Sequence, residues 1–113
     1  MIKEEVSQRI FDRVEVRFPG RLRTSTTAED HDVVIKDFSP EGVKVLSTKR
    51  LSVAERLTVS FLSEQAVPFK TEGSVVWVDQ ISLGAWHAGI KFDTVDLLQA
   101  RRIRELSLQP ALP

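Results

Sequence analysis

The chain has 113 residues, of which 42% are hydrophobic and 28% charged, and it contains no cysteine. A chain of this length and composition forms one globular domain with its own core, and the lack of cysteine excludes disulfides and thiolate chemistry. Its 16 basic and 16 acidic residues cancel. This balance argues against DNA or RNA as a partner, because binding a long nucleic acid requires a basic excess. No apolar run approaches the roughly 20 residues that cross a bilayer, so we expect a cytoplasmic protein with no membrane partner.

Apolar and polar residues alternate along the chain up to about residue 92. The first alternating segment starts at Val14 and is interrupted at Pro19-Gly20, where we expect a bulge or an edge position. After a polar loop at 24–30, further strands are predicted at 33–35, 42–46, 57–61, 69–78 and 86–92. Turn residues separate these segments, including those at 65–68 and 79–84. Six short strands without interposed helices predict an all-β domain, either a small closed barrel or a sandwich.

The hydrophobic period changes to that of a helix after residue 92. Asp93 or Thr94 could cap a helix over 94–108. An apolar stripe on this helix is expected to dock on the barrel. It consists of Leu97, Leu98, Ile103 and Leu106.

Sequence signatures of enzymes are absent. The two histidines, His31 and His87, are far apart. In Asp30-His31-Asp32, alternate side chains of an extended chain point to opposite faces, so we expect a solvated loop rather than a metal cluster. No nucleophile elbow or phosphate-cradling glycine loop occurs. We therefore expect a non-catalytic protein without a metal or cofactor.

The segment Asp37-Phe38-Ser39-Pro40-Glu41-Gly42 has two interpretations. Its composition is that of a turn between two strands. Alternatively, Asp37 and Ser39 face the same side of an extended chain and accept hydrogen bonds from a guanine edge. In that interpretation Gly42 lets the backbone approach a ligand closely, and Phe38 points inward as an anchor.

Two arginines, Arg9 and Arg13, form an R-x-x-x-R spacing just before the first strand. Their planar guanidinium groups suit phosphate oxygens and the guanine O6/N7 edge, although arginines in charged stretches commonly just solvate a surface. Arg17 forms an overlapping R-x-x-x-R with Arg13, but Pro19 and Gly20 follow it closely, so we interpret it as a strand-face residue. Two tryptophans, Trp77 and Trp86, lie in alternating patterns that favour core or barrel-rim packing over stacking on bases.

Together these residues resemble the motifs of the PilZ domain, a family of bacterial receptors for cyclic diguanylate (c-di-GMP). Its R-x-x-x-R is matched by Arg9 and Arg13, and its [D/N]-x-S-x-x-G by Asp37, Ser39 and Gly42. Residues 73–77 and 89–92 also resemble the late strands of the family, so the similarity extends from about residue 8 to residue 106. One departure is Gln8, where many relatives carry a further basic residue.

The resemblance implies a single domain over 1–113, with a flexible N-terminal arm at 1–13, a six-stranded antiparallel barrel at 14–92 and a helix at 94–108. It implies a non-catalytic receptor in which Arg9 and Arg13 hold phosphate and guanine, while Asp37, Ser39 and Gly42 form the other side of the c-di-GMP site. An unidentified downstream protein would read the bound state, and a homodimer is compatible with this scheme.

Three other functions stay open on the sequence alone. The first is a PilZ-like adaptor for motility or pilus machinery that does not depend on the nucleotide. The second is a barrel that binds single-stranded nucleic acid through a basic and aromatic face, which the zero net charge disfavours. The third is an enzyme, for which no motif is present.

Overall fold

The computed structural model describes residues 14–25, 29–62, 68–99 and 101. Its six strands are β1 (Val14–Thr24), β2 (Asp30–Ser39), β3 (Gly42–Ser47), β4 (Arg56–Leu62), β5 (Pro68–Ser82) and β6 (Ala85–Phe92). They form a closed barrel in the order β1-β2-β3-β6-β5-β4, and β4 pairs in turn with β1. Every neighbouring pair is antiparallel. The structure thus confirms the predicted all-β class and selects the closed barrel over the sandwich.

The inward-facing side chains of the six strands form one core. Its centre is aromatic, because Phe38 packs against Phe61, Phe69 and Phe92 with ring centroids 5.7, 5.3 and 6.4 Å away. The buried side chain of Leu51 joins this core from the β3–β4 connection. Phe38 is therefore the inward anchor that its position between Asp37 and Ser39 predicted.

Of the two features expected at Pro19-Gly20, the bulge lies elsewhere and the edge position is found. Strand β1 runs through both residues, and its register against β2 shifts between Glu15 and Phe18 instead. Pairing with β4 begins only at Gly20, so Pro19 lies just outside that ladder. A proline is tolerated there because no pairing with β4 requires its missing N–H.

Three further register shifts decide which side chains face the solvent. Strand β2 has one more residue than β3 between Ile35 and Asp37. Strand β5 has one more residue than β6 between Val75 and Trp77, and again between Gln80 and Ser82. Each extra residue reverses the alternation beyond it, because successive side chains of a strand point to opposite faces.

The β5–β6 hairpin is longer than predicted. Strand β5 continues to Ser82 through most of the expected turn at 79–84, and the chain reverses at Leu83-Gly84. Gly84 has a φ of 78°, a left-handed conformation that favours glycine.

The C-terminal helix is described at residues 97–99 and 101. Asp96, rather than Asp93 or Thr94, caps it, because the Asp96 carboxylate accepts a hydrogen bond of 3.1 Å from the Gln99 N–H. The predicted docking stripe is wrong at its start: Leu98 is 83% exposed and Leu97 is exposed as well. The remainder of the stripe lies outside the described residues. Within the described part of the chain, no helix has the length and apolar character needed to cross a membrane.

Candidate functional site

The β2–β3 turn is held closed by the hydroxyl group of Ser39. The Ser39 Oγ accepts a hydrogen bond of 3.2 Å from the Glu41 N–H and donates a longer one, of 3.5 Å, to the Gly42 carbonyl. Ser39 is only 2% exposed. The turn is also tied to β6, since the Phe92 N–H donates to the Glu41 carbonyl at 2.8 Å. The serine therefore fixes the turn, and its hydroxyl group already donates one hydrogen bond and accepts another within the protein.

Gly42 is required by the packing of β3 against β6. A Cβ at this position would lie 2.2 Å from the carbonyl oxygen of Ile90, which is closer than real Cβ contacts come. Gly42 does not have a positive φ, unlike Gly84. Close approach to a neighbouring strand, rather than turn geometry, thus explains the glycine of the motif.

Asp37 lies on the outer face of the barrel. Its neighbour Phe38 points inward, and the side chain of Asp37 retains 16% exposure. The Lys44 ammonium group is 3.9 Å from the Asp37 carboxylate, across the β2–β3 ladder. The oxygens of this carboxylate can accept hydrogen bonds from N–H donors.

A cross-strand row extends from this ion pair around the outside of the barrel. The register pairs Asp37 with Lys44, Lys44 with Gly89, and Gly89 with Trp77. We call Asp37, Lys44, Gly89 and Trp77 the outer row. Neighbouring strands are about 4.8 Å apart, so the row spans about 14 Å. It combines a carboxylate, a cation and an aromatic ring, which together suit a ligand with bases and phosphates.

Trp77 does not pack in the core, contrary to the sequence-based expectation. The extra residue at Val76 turns it outward, and it is 41% exposed. Trp86 is half-buried and faces inward near one end of the barrel, as predicted for a rim residue.

The structure brings three of the five predicted site residues together, namely Asp37, Ser39 and Gly42 at the end of the β2–β3 hairpin. Arg9 and Arg13 lie outside the described residues. Arg13 immediately precedes Val14, whose register partner is Phe38, between Asp37 and Ser39. Strand β1 therefore starts beside the β2–β3 hairpin.

Lys44 and Trp77 are the two residues of the outer row that carry chemistry and were not predicted. The position of Lys44 could have been predicted from the sequence. A two-residue turn at Pro40-Glu41 pairs Ser39 with Gly42, and counting back along the two strands from that pair places Lys44 opposite Asp37. The outward position of Trp77 could not have been predicted, since no residue pattern in the sequence indicates the bulge that turns it outward.

The Asp30-His31-Asp32 segment forms the start of β2 rather than the loop that was expected. Asp30 pairs with Arg23 at 3.8 Å and Asp32 with Arg21 at 3.3 Å. Burial of His31, and secondarily the charge of Lys49, lowers its pKa. Among the described residues, no cluster of three metal-ligating side chains occurs.

The fold is that of a small closed barrel of six antiparallel strands. The chain belongs to the PilZ domain family, whose model matches residues 7–109. That range contains all five of the predicted site residues.

Several solved structures share this fold. The inhibitor of motility MotI/DgrA of Bacillus subtilis has a TM-score of 0.71 and 13% identity, over 88% of this chain and 49% of that one. The PilZ domain of YcgR from Escherichia coli with c-di-GMP has a TM-score of 0.69 and 12% identity, over 88% of each chain. The c-di-GMP complex of MrkH from K. pneumoniae has a TM-score of 0.65 and 21% identity, over 88% of this chain and 51% of that one.

The chain spans about half the length of MotI/DgrA and of MrkH. A comparison with curated protein sequences finds no match. The exclusion of DNA that was expected from net charge finds no support, because MrkH is described as a c-di-GMP-dependent transcription regulatory factor.

Proposed function

We propose that this chain is a c-di-GMP receptor that acts without catalysis and passes the bound state to a partner protein. The family match over residues 7–109 carries this proposal, because it includes both motifs. Structures of YcgR, MrkH and PlzA with c-di-GMP support the choice of ligand. The nucleotide would lie on the outer face of the barrel, between the β2–β3 turn and Trp77.

The outer row supplies complementary chemistry for such a ligand. The Asp37 carboxylate accepts hydrogen bonds from the N–H donors on a guanine edge, and the Lys44 ammonium neutralises a phosphate. The Trp77 indole offers an aromatic face for a base. Arg9 and Arg13 would close the site from the segment that leads into β1, with guanidinium groups matched to phosphate and to guanine O6/N7.

Ser39 and Gly42 have an indirect role in this scheme. Ser39 fixes the turn that follows Asp37, and Gly42 lets β3 approach β6. Both residues shape the backbone that presents Asp37 and Lys44 on one face. A direct contact of either residue with the nucleotide would add to that role.

Titration calorimetry with c-di-GMP tests the proposal. We expect binding near micromolar or tighter for the unmodified chain, with GMP as the control ligand. Replacing Asp37 or Arg9 by Ala removes a charged hydrogen-bonding group and should cost about 1.5–3 kcal/mol, roughly tenfold to more than a hundredfold in affinity. Asp79→Ala is the matched control, because Asp79 is an exposed carboxylate of β5 outside the outer row.

Two results would contradict the proposal. One is no heat of binding at millimolar c-di-GMP from a chain whose circular dichroism shows a folded barrel. The other is an equal loss of affinity in Asp37→Ala and Asp79→Ala, which would mean that general charge rather than the outer row determines binding.

A nucleotide-independent adaptor is the second candidate function. One observation favours it: Ser39 and Gly42 each have a packing role that requires no ligand. For an adaptor, Arg9→Ala and Asp37→Ala would leave the affinity for a partner protein unchanged, with or without c-di-GMP. For a receptor, c-di-GMP would change that affinity, and the two variants would abolish the change.

A further inference from the structure

Strand β5 continues well beyond the end of its pairing with β4. That ladder ends at the pair Arg56 and Ser74, whereas β5 extends to Ser82. Val75 is still bonded on this side: its N–H donates to the Glu55 carbonyl at 3.0 Å and its carbonyl accepts from the Ala54 N–H at 2.7 Å. Within the described part of the chain, residues 76–82 pair with β6 alone. We call the opposite side of 76–82 the free edge.

A groove lies where an extension of β4 would run. It separates the free edge from the β3–β4 connection and has a cavity volume of about 410 Å³. Its walls are Arg50, Leu51, Ser52, Val53, Val78, Gln80 and Trp86. Val78 and Trp86 are half-buried at this end of the barrel, and Val53 is exposed. An extended segment placed along the free edge would therefore direct alternate side chains into a partly apolar groove.

The free edge lacks most of the features that block strand addition. Proteins protect exposed edges with proline, lysine, inward charges or bulges. Residues 76–82 contain neither proline nor lysine, and their one charge is Asp79. Two bulges do interrupt the edge, and residues 77–80 between them keep an unbroken register with β6. This length suits one short linear segment and limits open-ended sheet growth.

The charges favour a foreign segment over a second copy of this chain. Arg50 is the one charged side chain among the groove walls, so an acidic residue that points into the groove gains attraction. Antiparallel self-pairing in the register that matches Val78 with Gln80 would place two Asp79 carboxylates directly opposite each other, and facing like charges destabilise a sheet.

We propose that the free edge binds an extended segment of a partner protein by strand addition, and that this segment carries apolar residues and one acidic residue on its groove-facing side. Main-chain hydrogen bonds to 77–80 supply the affinity, and the groove supplies the selectivity. The proposal rests on β5 and Arg50 and does not depend on the proposed nucleotide binding.

A short synthetic strand tests the proposal. The probe is acetyl-Val-Thr-Glu-Thr-Val-amide, whose first, third and fifth side chains lie on one face when extended. The control peptide has Lys in place of Glu. With the full chain labelled by ¹⁵N, the Glu peptide should shift the amide signals of 76–82 and slow their hydrogen exchange.

Reversing the charge of Arg50 then tests whether the groove discriminates between the Glu and Lys peptides. Arg50→Glu should weaken binding of the Glu peptide by about fivefold, the size of an exposed ion pair, and should strengthen binding of the Lys peptide. Lys70→Glu is the matched control, because Lys70 is an exposed cation in the part of β5 that pairs with β4. It should leave both peptides unaffected.

Three results would overturn the proposal. The first is no shift in 76–82 at millimolar peptide, and the second is peptide shifts confined to other strands. The third is concentration-dependent self-association of the free chain that protects 76–82, which would identify a second copy as the occupant of the edge.

Discussion

The indole of Trp77 lies against the backbone of Gly89, so closely that a Cβ on Gly89 would stand 2.1 Å from the indole Nε1. The glycine leaves the space that the ring occupies. One face of the indole is thus covered by β6, while the side chain keeps 41% of its surface exposed. An aromatic ring held in this way has few rotamers to lose when a ligand stacks on it.

Gly89→Ala should displace the Trp77 ring without unfolding the barrel, because the obstructed group is a partly exposed side chain rather than backbone. In a Trp86→Phe background, where Trp77 is the remaining tryptophan, acrylamide should quench its fluorescence more strongly after the substitution. If Trp77 stacks on the nucleotide, c-di-GMP affinity should fall as well. Unchanged quenching would show that the ring does not depend on Gly89.

Gly42→Ala should cost more stability than Gly84→Ala. At Gly42 the added Cβ meets the Ile90 carbonyl oxygen at 2.2 Å, so the backbones of β3 and β6 must separate, at a cost of about 1–3 kcal/mol or more. At Gly84 the space is open, and the penalty is the left-handed φ alone, about 1–2 kcal/mol. Urea unfolding of both variants measures the difference, and a larger loss in Gly84→Ala would contradict the packing role of Gly42.

Ala54→Gly should stabilise the barrel. Ala54 has a φ of 75° in the turn that the Glu55 N–H closes onto the Ser52 carbonyl at 3.0 Å. Glycine adopts this φ without steric cost, and about 1–2 kcal/mol of relief is partly offset by its greater freedom in the unfolded chain. The control is Ala85→Gly in β6, which should destabilise. A lower urea midpoint for Ala54→Gly would show that the turn is not strained.

The free energy of unfolding should fall with pH below 6.5 because of His31. Burial lowers the pKa of His31 from its ordinary value of 6.5, and the nearby Lys49 lowers it further. In that range the unfolded chain takes up a proton at His31 that the folded chain does not. The contribution of His31 to the free energy of unfolding is therefore fully present above pH 6.5 and is lost as the pH falls towards the lowered pKa. The loss per pH unit is bounded by one proton, about 1.4 kcal/mol, and solvent screening reduces it.

Urea midpoints between pH 7.5 and 5.5 measure this dependence. His31→Gln should flatten it, because that variant has no imidazole at this position to take up a proton. If the His31→Gln variant kept the full slope, the titration would belong to another group.

The strand pattern and the hairpin turn could be predicted because each depends on local rules. Alternation of period two located all six strands, and the turn residues of the Ser39–Gly42 segment placed the hairpin. Phe38 was correctly assigned to the core because a large apolar residue between two polar ones has a single favourable orientation there.

The outward orientation of Trp77 could not be predicted, since it depends on one extra residue at Val76 whose accommodation is set by β6. The shift between Ile35 and Asp37 had the same effect in β2, where strict alternation from Val33 and Ile35 would have turned Asp37 inward. Docking of Leu97 and Leu98 on the barrel was predicted from the helical spacing of apolar residues, yet both side chains are exposed. That spacing shows which residues share one face of a helix, and does not show whether the barrel lies against that face. The site therefore depends on tertiary pairing more than the fold does.

The closed ladder of six strands has a mechanical consequence. Strands β2, β3, β4 and β6 are paired on both sides over most of their length, and the six strands enclose one core instead of two layers that could slide past each other. A molecule that binds to the outer face of the described barrel therefore meets a surface with little freedom to deform. Binding there would change the shape and charge of the surface that a partner protein contacts, and would leave the shape of the barrel itself unchanged.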